Sequence, residues 1–531
     1  MQMNGSDVDS GLDERKSGGD HNDTKMGFAR VAVLMMIAEI VIKAIGFIKQ
    51  SVIAYYFGGN SSMDVYFLSS DFINGISNAI MASVRIAVIA VYTRKRYKGD
   101  KLFADSLMSQ ITEVVLCVTV FITIAYIILI GPIGTMLAPS YTAELRIELN
   151  AMLVSFSGIL PLTSICMIYD SVLNSHERYF VTKTRSLIYS VVIIASCVFL
   201  SKTIGNQALV VAQYVTLILY FAVQKIASKR IYRFKASKIK EKGALSEVLH
   251  SAIPLLISKS MVYVNYQIDN SISTSLGSGS VSALAYAHTL DEFFIGVAIT
   301  SLAAILFPHM ANLIARGEEE RGIETLQKST ITMVILLVPV AVITFLLSKE
   351  VVQIVYMRGK FDVTVSVMAA TVLAWYALRY PFVCVRDFCV QGLYAFGETR
   401  LPMRNSVISM VLNIILSICL SRFFGISGIP LATTLSVVLC SFLNINSLTH
   451  ITSTDILNGN GSSLIKCTIS ISVTVFILFA LQHLLLLEGI VKCIVYFTIT
   501  SFAYISILLC MKEQITVDTC NRILKKFKAP N

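Results

Sequence analysis

Long apolar stretches follow one another along almost the whole chain, separated by short polar or charged segments. Crossing the hydrocarbon core of a bilayer takes about 20 mostly apolar residues. Windows of that kind centre near residues 29–57, 64–93, 107–135, 149–173, 180–201, 206–224, 246–275, 281–314, 328–347, 364–394, 403–421, 427–447, 464–483 and 488–511. The pattern predicts an all-α polytopic membrane protein with about 14 transmembrane helices.

The amino-acid composition points to the same class and away from an enzyme. Hydrophobic residues make up 55% of the 531 positions, charged residues 15%, and the mean hydropathy is +0.71, so most side chains must face lipid or each other. Neither a zinc-protease, a nucleophile-elbow nor a phosphate-loop motif appears, and the 7 histidines are scattered. The 11 cysteines include no C-x-x-C pair. We therefore expect no catalytic residues, no metal site and no cofactor.

Lysine and arginine are concentrated in alternate loops. The richest segments are "TRKRYKGDK", "HERYFVTKTR", "KIASKRIYRFKASKIKEK", "RGEEERGIETLQK" and "ETRLPMR", whereas the intervening loops hold few cations. The positive-inside rule then places both termini in the cytoplasm of a multi-pass protein in a bacterial plasma membrane. This distribution accounts for the net charge of +11 without a nucleic-acid partner, and the basic surface suits contact with anionic membrane lipid.

Polar segments divide the chain into two halves and a C-terminal pair of spans. The predicted divisions are a disordered cytoplasmic tail at 1–27, an N-lobe of six spans at 28–224, a basic cytoplasmic linker at 225–243, a C-lobe of six spans at 244–447, a loop at 448–463, spans thirteen and fourteen at 464–511, and a basic cytoplasmic tail at 512–531.

The two halves repeat each other at a period of about 220 residues. "FGGNSSMDVYFL" near Gly58 corresponds to "LGSGSVSALAYA" near Gly277, and "LNSHERYFVTK" from Leu173 corresponds to "LYAFGETRLPMR" from Leu393. An even number of spans separates the matched pieces, so the repeats are parallel. Parallel six-helix repeats around a central cavity are a transporter architecture.

Ionisable residues within the predicted spans are costly and usually face an interior cavity or a water path. They occur in few spans: Lys43 and Lys49 in the first, Asp71 and Arg85 in the second, Lys259 and Asp269 in the seventh, His288, Asp291 and Glu292 in the eighth, and Arg379, Arg386 and Asp387 in the tenth. The first and seventh spans are equivalent in a parallel repeat, as are the second and eighth, which favours one shared cavity.

Several cations in one cavity favour an anionic substrate, and diphosphate is the obvious candidate. The predicted substrate-binding residues are Lys49, Arg85, Arg379, Arg386 and Lys259, with Asp64, Asp71 and His288 as further cavity residues. Two alternatives stay open. Lys49 lies nine residues before the Gly58 break and is able to reach the membrane surface by snorkelling. Arg85 lies near the basic cluster at Arg94 and would also suit an anchor at the inner surface.

Four segments of the chain resemble the MviN/MurJ lipid II flippases of the multidrug/oligosaccharidyl-lipid/polysaccharide exporter superfamily. They are "GFIKQSVIAYYFG" followed by "MDVYF", "GSGSVSALAYAHTLDEF", "YMRGKFD" and "QGLYAFGETRLPMRNSVISMVLNIILS". The resemblance implies two six-helix lobes, a V-shaped cavity that opens alternately to the two sides, and two terminal helices that form a groove for a lipid tail. The implied cargo is an undecaprenyl-diphosphate-linked saccharide.

The sequence departs from the family pattern at several charged positions. Lys49-Gln50 replaces an Arg-Asp pair, the second span lacks adjacent arginines, and His288-Thr289 replaces Asp-Arg. Some relatives use a cation site that Asp269, Asn413 and Thr433 match here, with Ser417 where a second acid is expected. The resemblance thus implies a return step coupled to Na⁺, to H⁺ or to the membrane potential.

We also expect Gly46 and Gly296 to be hinges, where the first and eighth spans bend or pack closely beside the cavity. The predicted function is translocation of lipid II, the peptidoglycan precursor, from the inner to the outer leaflet by alternating access, beside the cell-wall synthesis machinery. A flippase for a capsule or O-unit lipid-linked oligosaccharide is the alternative. A drug/cation antiporter fits less well, because twelve spans suffice for that function and a cationic cavity repels cationic drugs.

Overall fold

The computed structural model describes residues 20–97, 101–229, 231–232, 242–454, 461–484 and 489–517. Within these ranges the regular elements are all helical, which confirms the predicted all-α class. The α-helices are α1 Asp20–Phe57, α2 Ser61–Tyr97, α3 Lys101–Ile128, α4 Ile130–Leu137, α5 Ala143–Phe156, α6 Ile159–Ser175, α7 Tyr179–Ile204, α8 Gln207–Ser228, α9 Lys242–Ser273, α10 Ser280–Ala315, α11 Glu319–Leu346, α12 Ser348–Tyr356, α13 Val363–Ala377, α14 Tyr380–Ala395, α15 Arg400–Phe424, α16 Gly428–Thr452, α17 Gly461–Leu484 and α18 Gly489–Cys510.

Every predicted span window falls on one helix or on two consecutive helices. By length and apolar composition, ten segments of the described chain are able to cross a membrane, or eleven if α13 and α14, which meet at 47°, count as one span. The segment Arg400–Thr452 contains both α15 and α16, joined by a 3-10 turn at Gly425–Ser427. The total of fourteen spans stays a prediction.

Several helices extend past the predicted segment boundaries. α1 begins at Asp20, so the last part of the predicted tail at 1–27 is helical, because a helix that has already formed adds residues at little cost. α8 likewise runs into the predicted linker as far as Ser228, and α16 runs into the predicted loop as far as Thr452. Residues 1–19 and 518–531, and most of the linker, lie outside the described residues.

The sequence repeat is also a structural repeat. Helices α1–α8 make up the N-lobe, and α9–α16 repeat the same order of long, short and broken helices in the C-lobe. Gly205 after α7 and Gly425 after α15, 220 positions apart, have φ values of 56° and 57°, a backbone region that favours glycine. Thr142 caps α5, and Asp362, also 220 positions later, caps α13. The same caps and turns therefore shape both lobes.

The lobes meet along their first two helices. α2 packs along α9, and α1 packs along α10. The two terminal helices lie to one side of this core: α17 and α18 pack against each other and against α11, and α18 also contacts α12. Lys492 on α18 pairs with Glu350 on α12, so an ion pair joins the terminal helices to the C-lobe.

The lobes are clasped together on the side that the predicted topology places outside. Asp64 on α2 accepts hydrogen bonds from the Gly279 amide at 2.6 Å and from the Ser282 amide and hydroxyl at 2.7 and 2.6 Å. The Tyr286 hydroxyl donates to the Gly58 carbonyl at 2.7 Å. We call these contacts the outer clasp. Asp64 was predicted to face the cavity. Its side chain is instead enclosed, with an exposed fraction of 2%, because the first amides of α10 need an acceptor.

Candidate functional site

Lys49 lies in the interior of the N-lobe, between α1 and α7. Its ammonium group is 4.7 Å from the centre of the Tyr189 ring on α7, a cation–π arrangement. In the described part of the chain it makes neither a hydrogen bond nor an ion pair. Side chains on a helix lean toward its N-terminus, which for α1 is the predicted cytoplasmic end. This lean and the contact with Tyr189, which lies well inside α7, place the Lys49 ammonium group within the lobe rather than at the end of α1.

Two arginines lie on the inner half of the same lobe, around one acid. Asp170 on α6 accepts hydrogen bonds from the Gln224 amide at 2.7 Å and from the Tyr220 hydroxyl. Arg85 on α2 and Arg185 on α7 are both within electrostatic range of this carboxylate. Neither guanidinium makes a hydrogen bond or ion pair among the described residues. The N-lobe thus holds two arginines near one acid whose hydrogen bonds come from neutral groups, and Lys49 is a third cation of this lobe, held at Tyr189.

The arginines of the C-lobe are paired. Arg379, at the start of α14, forms an ion pair with the buried Asp291 on α10 and stacks 4.6 Å from the Tyr376 ring centre. Arg386 pairs with its neighbour Asp387 at 2.9 Å. Both arginines lie on the same short helix, but each has its own carboxylate. Of these four arginines, the two without an ion-pair partner among the described residues are therefore Arg85 and Arg185 of the N-lobe.

The remaining predicted cavity residues lie where the lobes meet. The Asp71 carboxylate on α2 accepts a hydrogen bond from the Asn270 amide on α9 at 3.2 Å. The His288 ring on α10 lies 5.0 Å from the Tyr266 ring and within electrostatic range of Asp71. Lys259 on α9 is exposed, and no hydrogen bond or ion pair to it occurs in the described ranges. Asp71 and His288 are thus grouped, whereas Lys259 stands apart from them.

Asp269, Asn413 and Thr433 converge on one turn of α15. The Ser417 hydroxyl donates to the Asp269 carboxylate at 2.8 Å, and the Asn413 amide donates to the Thr433 hydroxyl at 3.2 Å. The Asn413 amide oxygen is buried and has no hydrogen-bond partner among the described residues. In the described residues no three His, Cys, Asp or Glu side chains are grouped to hold a metal ion. This cluster therefore offers one carboxylate and neutral oxygens, the type of ligand that hard cations prefer.

A family model described as "Lipid II flippase MurJ" matches residues 53–501, which is most of the chain and both of its lobes. The chain belongs to the lipid II flippase MurJ family. It is 22% identical over 410 residues to the probable lipid II flippase MurJ of Borreliella burgdorferi, covering 77% of this chain and 81% of the relative. It is 25% identical over 429 residues to that of Buchnera aphidicola from Acyrthosiphon pisum, covering 77% and 82%.

Solved structures share the fold of this MurJ family member. A lipid II flippase MurJ in an inward closed conformation superposes with a TM-score of 0.76 at 20% identity, covering 91% of this chain and 100% of that one. An inward-facing multidrug resistance transporter of the MATE family gives a TM-score of 0.68 at 12% identity, covering 80% and 99%. The two-lobed architecture expected from the family resemblance is therefore confirmed.

Sequence reasoning missed Arg185 in this member of the MurJ family. We counted it among the cations of the cytoplasmic segment "HERYFVTKTR", although the predicted span 180–201 includes it. α7 begins at Tyr179, so Arg185 lies more than a full turn inside the helix. A signal was present. Arg185 precedes Tyr189 by four residues, which places the two side chains on one face of an otherwise apolar span.

The two glycines expected to be hinges differ in their surroundings. The Lys43 side chain lies across Gly296, where an added Cβ would be 2.8 Å from the Lys43 Cε, and Lys43 donates to the Glu292 carbonyl at 3.4 Å. No atom would lie within 4 Å of a Cβ added at Gly46. α1 and α10 run unbroken through both positions. Close packing is thus present at Gly296, while the hinge role of both glycines stays a prediction.

Proposed function

We propose that this chain is a lipid II flippase, which moves the undecaprenyl-diphosphate-linked peptidoglycan precursor from the inner to the outer leaflet of a bacterial plasma membrane. The observation that carries the proposal is the family match at residues 53–501, which spans both lobes. The unpaired cations of the N-lobe support it, because their positive field lowers the cost of bringing a diphosphate group to the middle of the membrane.

The two lobes act as the moving parts. The outer clasp joins the start of α2 to the start of α10, so the side that the predicted topology places outside is closed. The head group enters from the inner side, where Lys49 and Arg85 bind its phosphates. Opening the outer side separates Asp64 from the amides of α10, and the head group then leaves to the outer leaflet. Transport in this scheme involves no bond cleavage and no cofactor.

The lipid tail stays outside the lobes, in a groove beside the two terminal helices. A small cavity in this region is lined by residues from α11, α17 and α18 and by the turn before α12: Leu346, Leu347, Leu478, Phe479, Lys492 and Tyr496. Four of these six residues are leucine or phenylalanine, side chains that suit contact with a prenyl chain. The ion pair of Lys492 with Glu350 would hold α18 beside the C-lobe while the tail slides past.

The return step is coupled to an ion, Na⁺ or H⁺, or to the membrane potential. Asp269 is the acid that supports this part of the proposal, since its side chain is only 3% exposed and its described hydrogen-bond donor is the Ser417 hydroxyl. Binding a cation there would neutralise a charge that is otherwise costly inside the membrane. Both termini lie in the cytoplasm, and the translocated precursor passes to the cell-wall synthesis machinery.

Depletion of the protein in its own host tests the function. The undecaprenyl-linked intermediates are extracted during depletion and quantified by mass spectrometry. Accumulation of lipid II, reversed by the wild-type gene, is the expected result. Unchanged lipid II together with loss of capsule or O-unit polysaccharide would replace the substrate assignment with the alternative one. Unchanged levels of every lipid-linked saccharide, with altered drug tolerance, would overturn the flippase assignment.

A further inference from the structure

We infer that Arg185 binds the second phosphate of the lipid-linked substrate, and that Lys49, Arg85 and Arg185 together form one diphosphate-binding site inside the N-lobe. The inference rests on the proposed flippase function and adds to it the residue that distinguishes a diphosphate from a monophosphate. Lys49 and Arg85 were candidates from the sequence, whereas Arg185 becomes one only when the helices are assembled.

Arg185 and Tyr189 are four residues apart on α7, so they lie on one face about 6 Å apart along the helix axis. Tyr189 is the residue whose ring holds the Lys49 ammonium at 4.7 Å. Arg185 therefore lies about one turn closer to the predicted cytoplasmic side than the Lys49 head group. The Lys49 ammonium group and Arg185 thus lie one turn apart along the same face of α7, a spacing that matches two linked phosphates.

The charged groups near Arg185 do not neutralise it fully. Arg185 is within electrostatic range of Asp170 and Tyr220, and Arg85 approaches the same Asp170 from α2. Asp170 receives its hydrogen bonds from neutral donors, Tyr220 and Gln224, and neither arginine bonds to it. One carboxylate carries one negative charge, so Asp170 cannot neutralise both arginines. Other nearby charges have their own partners: Asp71 bonds to Asn270 of the C-lobe, and Lys183 to Glu39.

The Arg185 guanidinium has hydrogen-bond donors that no described residue accepts. Arginine carries five N–H donors in a planar fork that matches two phosphate oxygens. In the C-lobe these donors are used by Asp291 and Asp387, whereas Arg185 is only partly exposed and donates to no described residue. A half-buried arginine at membrane depth without an acceptor is costly unless water or a ligand supplies one. A phosphate entering from the inner leaflet supplies it.

The test measures binding of undecaprenyl diphosphate, undecaprenyl monophosphate, lipid II and phosphatidylglycerol to the purified full-length protein by native mass spectrometry. Arg185→Gln should weaken undecaprenyl diphosphate and lipid II about tenfold or more, as expected for loss of a charge-assisted hydrogen bond, and the monophosphate much less. Lys183→Gln is the matched control. It removes the same charge two residues away on α7, where the exposed lysine pairs with Glu39, and should leave all affinities unchanged.

Each outcome separates the inference from the function on which it rests. Equal preference for diphosphate in the wild type and in Arg185→Gln overturns the role of Arg185, although lipid II binding by both would leave the flippase proposal standing. An equal loss of affinity for undecaprenyl diphosphate and undecaprenyl monophosphate in Arg185→Gln would indicate structural damage. Arg185→Lys, which keeps the charge, must then restore the preference for the diphosphate, or the inference fails. Arg185-dependent binding of phosphatidylglycerol as tight as that of lipid II would assign the site to bulk lipid. No lipid II binding by the wild type would count against the proposed function itself.

Discussion

Replacing Asp64 by asparagine should open the outer side of the protein. The carboxylate accepts three hydrogen bonds from two residues of the opposite lobe, at 2.6 to 2.7 Å, and it lies at the N-terminus of α10, where the helix dipole favours negative charge. Asparagine keeps the shape but offers only one oxygen. If that oxygen serves Ser282, the side-chain NH₂ faces the Gly279 amide, and two donors oppose each other.

The size of the effect follows from these contacts. Losing one charge-assisted hydrogen bond and leaving one amide unsatisfied costs on the order of 2 kcal/mol or more. Because the clasp exists only when the outer side is closed, the whole cost falls on the closed state. The ratio of open to closed molecules should therefore rise about thirtyfold.

The assay follows the labelling of a cysteine placed behind the clasp. Ser280 is fully buried at the first turn of α10, and Ser280→Cys changes one atom. Its labelling rate with a membrane-impermeant maleimide, added from outside, is proportional to the open fraction. Adding Asp64→Asn should raise the rate about thirtyfold. Asp362→Asn is the control, because Asp362 caps α13 within one lobe through a single bond to the Val365 amide. Equal labelling with and without Asp64→Asn would refute the clasp.

Three further predictions concern the substrate site, the coupling site and the C-terminal turn. Lys49→Ala should abolish the appearance of the head group in the outer leaflet, normalised to protein level, whereas Lys49→Arg should retain part of it. Full activity of Lys49→Ala would exclude phosphate binding by Lys49. If Lys49→Gln lowers only the abundance of the protein, Lys49 is a snorkelling anchor. Asp269→Asn should remove the dependence of flipping on an imposed Na⁺ or H⁺ gradient, and an unchanged dependence would move the coupling site elsewhere. Burial alone would raise the pKa of the Glu513 carboxyl, but hydrogen bonds from Thr516, Ser463 and the Ile515 amide lower it. The ionised carboxylate therefore stabilises the folded protein above the ordinary pKa of 4.5, and this stabilisation is lost as the pH falls through the lowered pKa. Glu513→Gln should thus lower the melting temperature at pH 7 and progressively less below pH 4.5; a pH-independent difference would contradict this.

The sequence predicted those features of the fold that depend on local pattern. Apolar stretches placed a helix or helix pair at every predicted span, and the matched turns predicted the repeat that Gly205 and Gly425 now show. Helix ends were predicted less well, because apolar windows do not mark where a helix continues into polar sequence. Arg185 was missed for another reason: it lies within the predicted span 180–201, but it was counted among the cations of the adjoining cytoplasmic segment.

The charges inside the membrane show why the site needed the structure. The sequence identifies which spans carry costly side chains, but their roles depend on contacts between helices. Arg379 and Asp291 are 88 positions apart and form a pair, so this arginine holds α14 to α10. Lys49 occupies an equally costly position and rests on an aromatic ring without a carboxylate, so its charge stays available to a ligand. A cation that is paired within its own lobe stabilises the fold, whereas one held in place but left unpaired is able to bind a phosphate and to release it when the lobes move.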